Sequence, residues 1–164
     1  QGRHKYFALA DADVAHALEA LSLVAERDAV SQRWSEGAYR PLKCARRCYS
    51  HLAGELGVAQ YDMLLRCGHL QPGAQGLQLT ESGRHWAAQL GLKLPSPGTA
   101  RLAYPCMDWS ERKDHLAGAL ARALLDHHLA RRWLCPQTDS RALTLTALGQ
   151  RELVPLLGAS DRVT

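Results

Sequence analysis

The tetrapeptide His-Leu-Ala-Gly occurs twice in this chain of 164 residues, at positions 51–54 and again at 115–118. A second echo follows each copy: Leu79-Thr80-Glu81-Ser82-Gly83 after the first and Leu145-Thr146-Ala147-Leu148-Gly149 after the second. Between the landmarks each copy carries apolar residues at helical spacing. A turn containing proline comes next, His69-Leu70-Gln71-Pro72 in one copy and Trp133-Leu134-Cys135-Pro136 in the other. The first pair of landmarks is offset by 64 positions and the second by 66, which implies a short insertion in one loop. Self-similarity of this kind predicts two related modules in tandem, and it governs how every other residue is read.

The length suits one ordinary domain or two small ones. Hydrophobic residues make up 46% and charged residues 22%, so the chain can build a core and is not of the disordered class. A single Phe among many Leu and Ala favours helices over a β-sandwich. The net charge of +4 is compatible with nucleic-acid contact without being diagnostic of it. No apolar run reaches the ~18 residues that a membrane span needs, and the N-terminus has no charged-then-apolar leader. The five cysteines (Cys44, Cys48, Cys67, Cys106 and Cys135) are odd in number and scattered, which predicts reduced thiols in a cytoplasmic protein rather than a disulfide framework. The chain opens on Gln1 rather than Met, from which we expect further sequence upstream.

Residues 2–9 read as the return strand of a hairpin, with Gly2 in the turn and Tyr6, Phe7 and Leu9 suited to a strand. Asp11 and Asp13 offer N-cap chemistry for a helix running to about Arg27, whose apolar set includes Val14, Leu18 and Leu21. A connection follows over 31–41. The first module spans 42–92, with a long helix holding Cys44, Cys48, His51 and Leu52, a second helix over 59–67, a short strand, and a helix capped by Thr80. Pro95, Pro97 and Gly98 mark a linker over 93–103. The second module spans 104–158. There Ser110 caps a helix reaching Trp133, and Thr146 caps the last helix before a tail at 159–164.

The strand GRHKYFALAD followed by the helix DVAHALEAL resembles the end of a winged-helix domain of the ArsR/SmtB transcription-regulator family, where a wing hairpin precedes a C-terminal dimerisation helix. The segments CYSHLAGELGV (48–58) and CMDWSERKDHLAGAL (106–120) resemble the extended C-terminal region of a long-chain subgroup of these regulators. Together they cover nearly the whole chain. The resemblance implies that residues 1–30 close a winged-helix DNA-binding domain whose helix-turn-helix lies outside this sequence. It places Arg3, His4 and Lys5 on the wing against DNA, and Val14, Leu18 and Leu21 in a homodimer interface. It also implies a cytoplasmic regulator that binds DNA through the parent protein and answers to an unidentified effector. The fold expected is mainly α: tandem degenerate winged-helix modules with short two-stranded wings, preceded by a wing strand and a dimerisation helix.

Two stretches carry chemistry. Cys44, Cys48 and His51 stand at i, i+4 and i+7, which on a helix is one face, and thiolates with an imidazole suit zinc or cuprous ion. The competing reading makes these small buried thiols and a hydrogen-bonded core histidine. The string Cys106, Asp108, Trp109, Ser110, Glu111, Arg112 and His115 is explained by capping, with an Asp108–Arg112 pair. Alternatively, Cys106 is a partner of Cys48 or a redox-sensitive thiol, should the repeats bring these segments together. Asp13, His16 and Glu19 resemble the acid-plus-imidazole set of an interhelical metal site in the same family, and equally a solvated helix face. No glycine-rich phosphate loop, H-E-x-x-H or nucleophile elbow is present, so an enzyme is not expected. The reading is the dimerisation and sensor part of an ArsR-like regulator, with a metal- or thiol-binding interaction module as the other possibility.

Overall fold

The computed structural model describes residues 9–25, 40–73, 76–96 and 100–158. Helix α1 (Ala12–Ala25) comes first, its start capped by the Asp11 side chain accepting from the Val14 amide, and the short helix α2 (Arg40–Cys44) follows. The two copies then have the same order of elements. The first is β1 (Arg46–Arg47), β2 (Leu52–Ala53), α3 (Glu55–Arg66), β3 (Leu70–Gly73), β4 (Gly76–Leu79) and α4 (Glu81–Gln89). The second is β5 (Tyr104–Met107), β6 (Asp114–Ala117), α5 (Ala119–Ala130), β7 (Leu134–Pro136), β8 (Leu143–Leu145) and α6 (Ala147–Leu157).

The repeated landmarks are local solutions to the same two problems. In His-Leu-Ala-Gly the leucine and alanine end an inner strand and are buried in both copies. The glycine then turns the chain into a helix at φ +83° (Gly54) and +101° (Gly118), and a side chain there would collide with the Lys43 or Leu102 carbonyl. In Leu-Thr-x-x-Gly the threonine is the N-cap. The Thr80 Oγ1 accepts from the Gly83 amide (3.0 Å) and the Thr146 Oγ1 from Gly149 (2.9 Å). Each threonine also donates to a carbonyl of the preceding turn, Gly68 (2.7 Å) or Arg132 (2.8 Å).

The copies interlock. Arg46 bridges to Ala142 and, reciprocally, Leu77 bridges to Ala103, so the strand that opens each copy also meets the later hairpin of the other. The backbone bonds Leu143 N–H to the Ala45 carbonyl (2.9 Å) and Leu77 N–H to the Ala103 carbonyl (3.0 Å) mirror one another. Helix α3 packs against β6, and α5 against β2. One core results, drawing Leu52, Leu56 and Leu64 from the first copy and Leu116, Leu120, Leu124, Leu134 and Leu153 from the second.

The mainly α, tandem winged-helix fold expected from sequence is overturned. Helices share the described residues with four two-stranded antiparallel sheets, β1–β2, β3–β4, β5–β6 and β7–β8. Each copy retains a helix, hairpin, helix sequence, but a second hairpin precedes it where a helix was expected. Cys44, Cys48 and His51 therefore do not share a helix face. Cys48 N–H donates to the His51 carbonyl (3.0 Å) and closes a tight turn between β1 and β2. In the second copy Asp108 Oδ1 accepts from the Ser110 and Glu111 amides (3.0 and 3.2 Å), which holds the chain in a turn rather than starting a helix. Pro105, which has no amide hydrogen, is accommodated in β5 because that strand is an edge of the two-stranded β5–β6 sheet.

Candidate metal centre

Both first hairpins present a cysteine opposite a histidine. Cys106 is the cross-strand partner of His115 in the β5–β6 register, and Cys48 and His51 close the β1–β2 turn. Cross-strand side chains on one face start ~4.5–5.5 Å apart at Cβ, close enough for their tips to converge. Because the copies interlock, the two pairs meet. One donor atom from each of Cys48, His51, Cys106 and His115 lies within 4.8 Å of all the others, and all four residues are buried. The two Nε2 atoms are 3.1 Å apart. Zinc–nitrogen bonds of ~2.0–2.1 Å at tetrahedral angles place such nitrogens about 3.3 Å apart, so the spacing fits a single ion. The cluster can hold a metal ion.

The surroundings are ordered by charge. Asp108 Oδ2 stands 3.1 Å from His115 Nδ1, off the ideal hydrogen-bond line, and accepts the Gly54 amide at 2.7 Å. Its Oδ1 pairs with Arg46 Nη2 at 2.8 Å. Arg46 is wholly buried. Its Nη1 donates to the Leu42 carbonyl (3.1 Å) and to Ser110 Oγ (3.0 Å), and its guanidinium lies 4.5 Å over the Trp109 ring. A carboxylate on the far nitrogen of a ligating histidine fixes its tautomer and ring orientation.

These contacts shift the acidities. Burial pushes the Asp108 carboxyl up, but His115, Arg46 and the Gly54 amide together hold it well below the usual carboxylate range. Burial pulls His115 down, and the close Asp108 carboxylate, aided by Cys48, outweighs it, so the net shift is upward. The Cys48 thiol is pushed up to about 11 by its hydrogen bond with Cys106 and by burial, against the pull of the two imidazoles.

Of the residues singled out from sequence, Cys48, His51, Cys106 and His115 come together here. Cys44 ends α2, half-buried, outside this group. Val14, Leu18 and Leu21 lie exposed on α1 at 41%, 48% and 62%. Arg3, His4 and Lys5 lie outside the described residues, as does the His16 side chain. The cation paired with Asp108 is Arg46 from the other copy, not Arg112. Sequence reasoning missed Arg46, Asp108 as the partner of His115, and Glu19 as a buried ion partner. The available signal was the Cys–His pair ahead of each Leu-Ala-Gly, spaced C-x2-H in one copy and C-x8-H in the other.

Over 151 residues the chain is 35% identical to the uncharacterized HTH-type transcriptional regulator YdfF of Bacillus subtilis (strain 168), an alignment covering 91% of this chain and 67% of that relative. No family model matches the chain, and no solved structure matches it. The identity and its coverage of both proteins place the chain in the family of HTH-type transcriptional regulators.

Proposed function

We propose that the chain is the dimerisation and regulatory region of an ArsR-like, DNA-binding transcriptional regulator of the cytoplasm, and that zinc bound by Cys48, His51, Cys106 and His115 ties its two repeats together. The observation that carries this is the buried Cys2His2 group, built half from each copy. Two thiolates and two imidazoles are a donor set suited to zinc, and four protein ligands leave no open position, as in structural rather than catalytic sites. The 35% identity to a named HTH-type regulator supports the DNA-binding role of the parent protein. Arg3, His4 and Lys5 are its wing contacts with DNA, and Val14, Leu18 and Leu21 its homodimer contacts. The repeats themselves do not read base edges in this proposal. Helix α3 buries Leu56, Val58, Gln60, Tyr61, Met63 and Leu64, and the face it exposes, Asp62, Leu65 and Arg66, sets one cation against one carboxylate, a poor match to a groove. Among the described residues no helix is long and apolar enough to cross a membrane.

Elemental analysis of the purified chain tests the metal, with one zinc per chain expected and loss of it in Cys48→Ser. A metal-free protein that also fails to develop a cobalt–thiolate absorption band would end the zinc reading. Binding of the parent protein to its own promoter tests the rest. An affinity that does not fall with salt would remove the regulator reading and favour a metal-binding interaction module without DNA function.

A further inference from the structure

The metal ligands leave a set of buried charges without an assigned role. Starting at His115, contacts run to Asp108 (3.1 Å), from Asp108 to Arg46 (2.8 Å), and from Arg46 to Glu19 Oε2 on α1 (3.8 Å). Glu19 is also met by Arg141 at 3.2 Å. Every member from His115 to Glu19 is less than a tenth exposed. Taking ions out of water is expensive, and well-packed apolar residues would hold a helix at lower cost. A buried row of alternating charge reaching from a ligand to a separate helix therefore calls for a role beyond stability. Its last link is also its longest, at 3.8 Å, and Glu19 Oε2 has no hydrogen-bond partner among the described residues, as is true of His115 Nδ1 at the first link.

Helix α1 has few other buried anchors. Among its described side chains only Ala15 and Glu19 are buried, while Val14, Leu18, Leu21 and Val24 face outward. Resting on the metal reading above, we propose that the row His115–Asp108–Arg46–Glu19 couples occupancy of the metal centre to the seating of α1. A bound ion clamps Cys106 and His115, the two ends of the loop that carries Asp108. Asp108 then holds Arg46 against Trp109, and Arg46 presents its guanidinium to Glu19. Without the ion those loop ends are held by strand pairing alone, Arg46 shifts with Asp108, and α1 loosens. Glu19 and Arg46 are positioning residues in this scheme. Because α1 lies on the N-terminal side of the repeats, it is the element through which occupancy reaches the rest of the regulator.

Coupling of this kind is reciprocal, so a change at α1 must alter zinc affinity although Glu19 binds no metal. Glu19→Gln in the 164-residue chain, titrated with zinc against a chromophoric chelator, is expected to weaken binding at least about fivefold, the lower end of usual coupling. The cobalt spectrum should stay unchanged, since the ligand set is intact. Hydrogen exchange over residues 12–25 should rise when zinc is stripped from the wild-type chain. In Glu19→Gln it should already be high and indifferent to zinc. Arg141→Gln, which removes the half-exposed partner of Glu19 and leaves the row intact, should keep the zinc dependence of exchange. Equal zinc affinity in wild type and Glu19→Gln, with wild-type α1 exchange indifferent to zinc, overturns the coupling while leaving the metal site standing. A wild-type chain that binds no zinc overturns both.

Discussion

The Nε2 atoms of His51 and His115 lie 3.1 Å apart although the residues belong to different copies of the repeat, 64 positions from one another. Two imidazole nitrogens at this distance are held by one shared proton or by one shared cation. With zinc as the cation, stability becomes a function of free metal: at one hundred times the dissociation constant the ion adds about 2.7 kcal/mol to the folded state. Thermal unfolding of the wild-type chain should move upward with buffered zinc. His115→Ala should remove that dependence, and a variant that kept the full zinc response would show that the ion sits elsewhere.

Asp108 is the counterion of a guanidinium with no access to solvent. Asp108→Asn preserves the shape but leaves Arg46 as an uncompensated buried charge beside a weak contact with Glu19. Removing one partner of a buried pair costs about 3–5 kcal/mol. Urea unfolding at fixed zinc should show a loss of that order. A loss below about 1 kcal/mol would mean the pair behaves like an exposed one.

His128 sets an acid limit on stability. It is buried in α5, its Nε2–H donates to Gln60 Oε1 at 2.6 Å, and burial, with the charge of His127, lowers its pKa from 6.5 to about 3. The folded state therefore resists a proton that the unfolded chain accepts. This contribution is complete above about pH 6.5 and is lost as the pH falls toward 3. The loss runs at up to about 1.4 kcal/mol per pH unit. Urea unfolding from pH 7 to pH 4 should show a steeper decline in the wild-type chain than in His128→Leu. Parallel curves would place the acid sensitivity elsewhere.

The glycine of His-Leu-Ala-Gly differs from an ordinary turn glycine. A Cβ on Gly118 would stand 2.6 Å from the Leu102 carbonyl oxygen at φ +101°, whereas one on Gly68, at φ +66°, would meet nothing within 4 Å. Gly68→Ala should cost about 1 kcal/mol, the left-handed backbone alone. Gly118→Ala should cost about 3 kcal/mol or more, because strain and overpacking add. Equal losses in the two variants would refute the close approach of strand and helix.

The duplication was visible in the sequence because each landmark satisfies a strong local demand. Threonine caps, glycine turns and helical leucine spacing are short-range signals, and α3 to α4 and α5 to α6 follow them. The hairpins ahead of each Leu-Ala-Gly were not visible. Arg46–Arg47 and Leu52–Ala53 are two-residue strands, too short for an alternating pattern; they pair with each other, and the other copy bridges to Arg46. The Cys48 and His51 spacing was then assigned to a helix face by default. The cysteines and histidines were legible as candidates, but their assembly into one group depends on interlocking that no local window contains. Arg46 had no signal at all, and Glu19 was legible only as part of an acid-plus-imidazole set or a solvated helix face, not as a buried ion partner. A buried arginine and a solvated one look alike in sequence until the partners 62 positions downstream and on α1 are known.

The reciprocal bridges Arg46–Ala142 and Leu77–Ala103 mean that each copy's opening segment meets a backbone edge of the other. A chain with a single copy would lose both bridges and half of the Cys2His2 group. The two halves are not identical: the longer loop between Cys106 and His115, with Asp108 and Trp109, has no counterpart between Cys48 and His51. A centre with two identical halves would have no preferred direction. The loop gives this one a direction, toward α1.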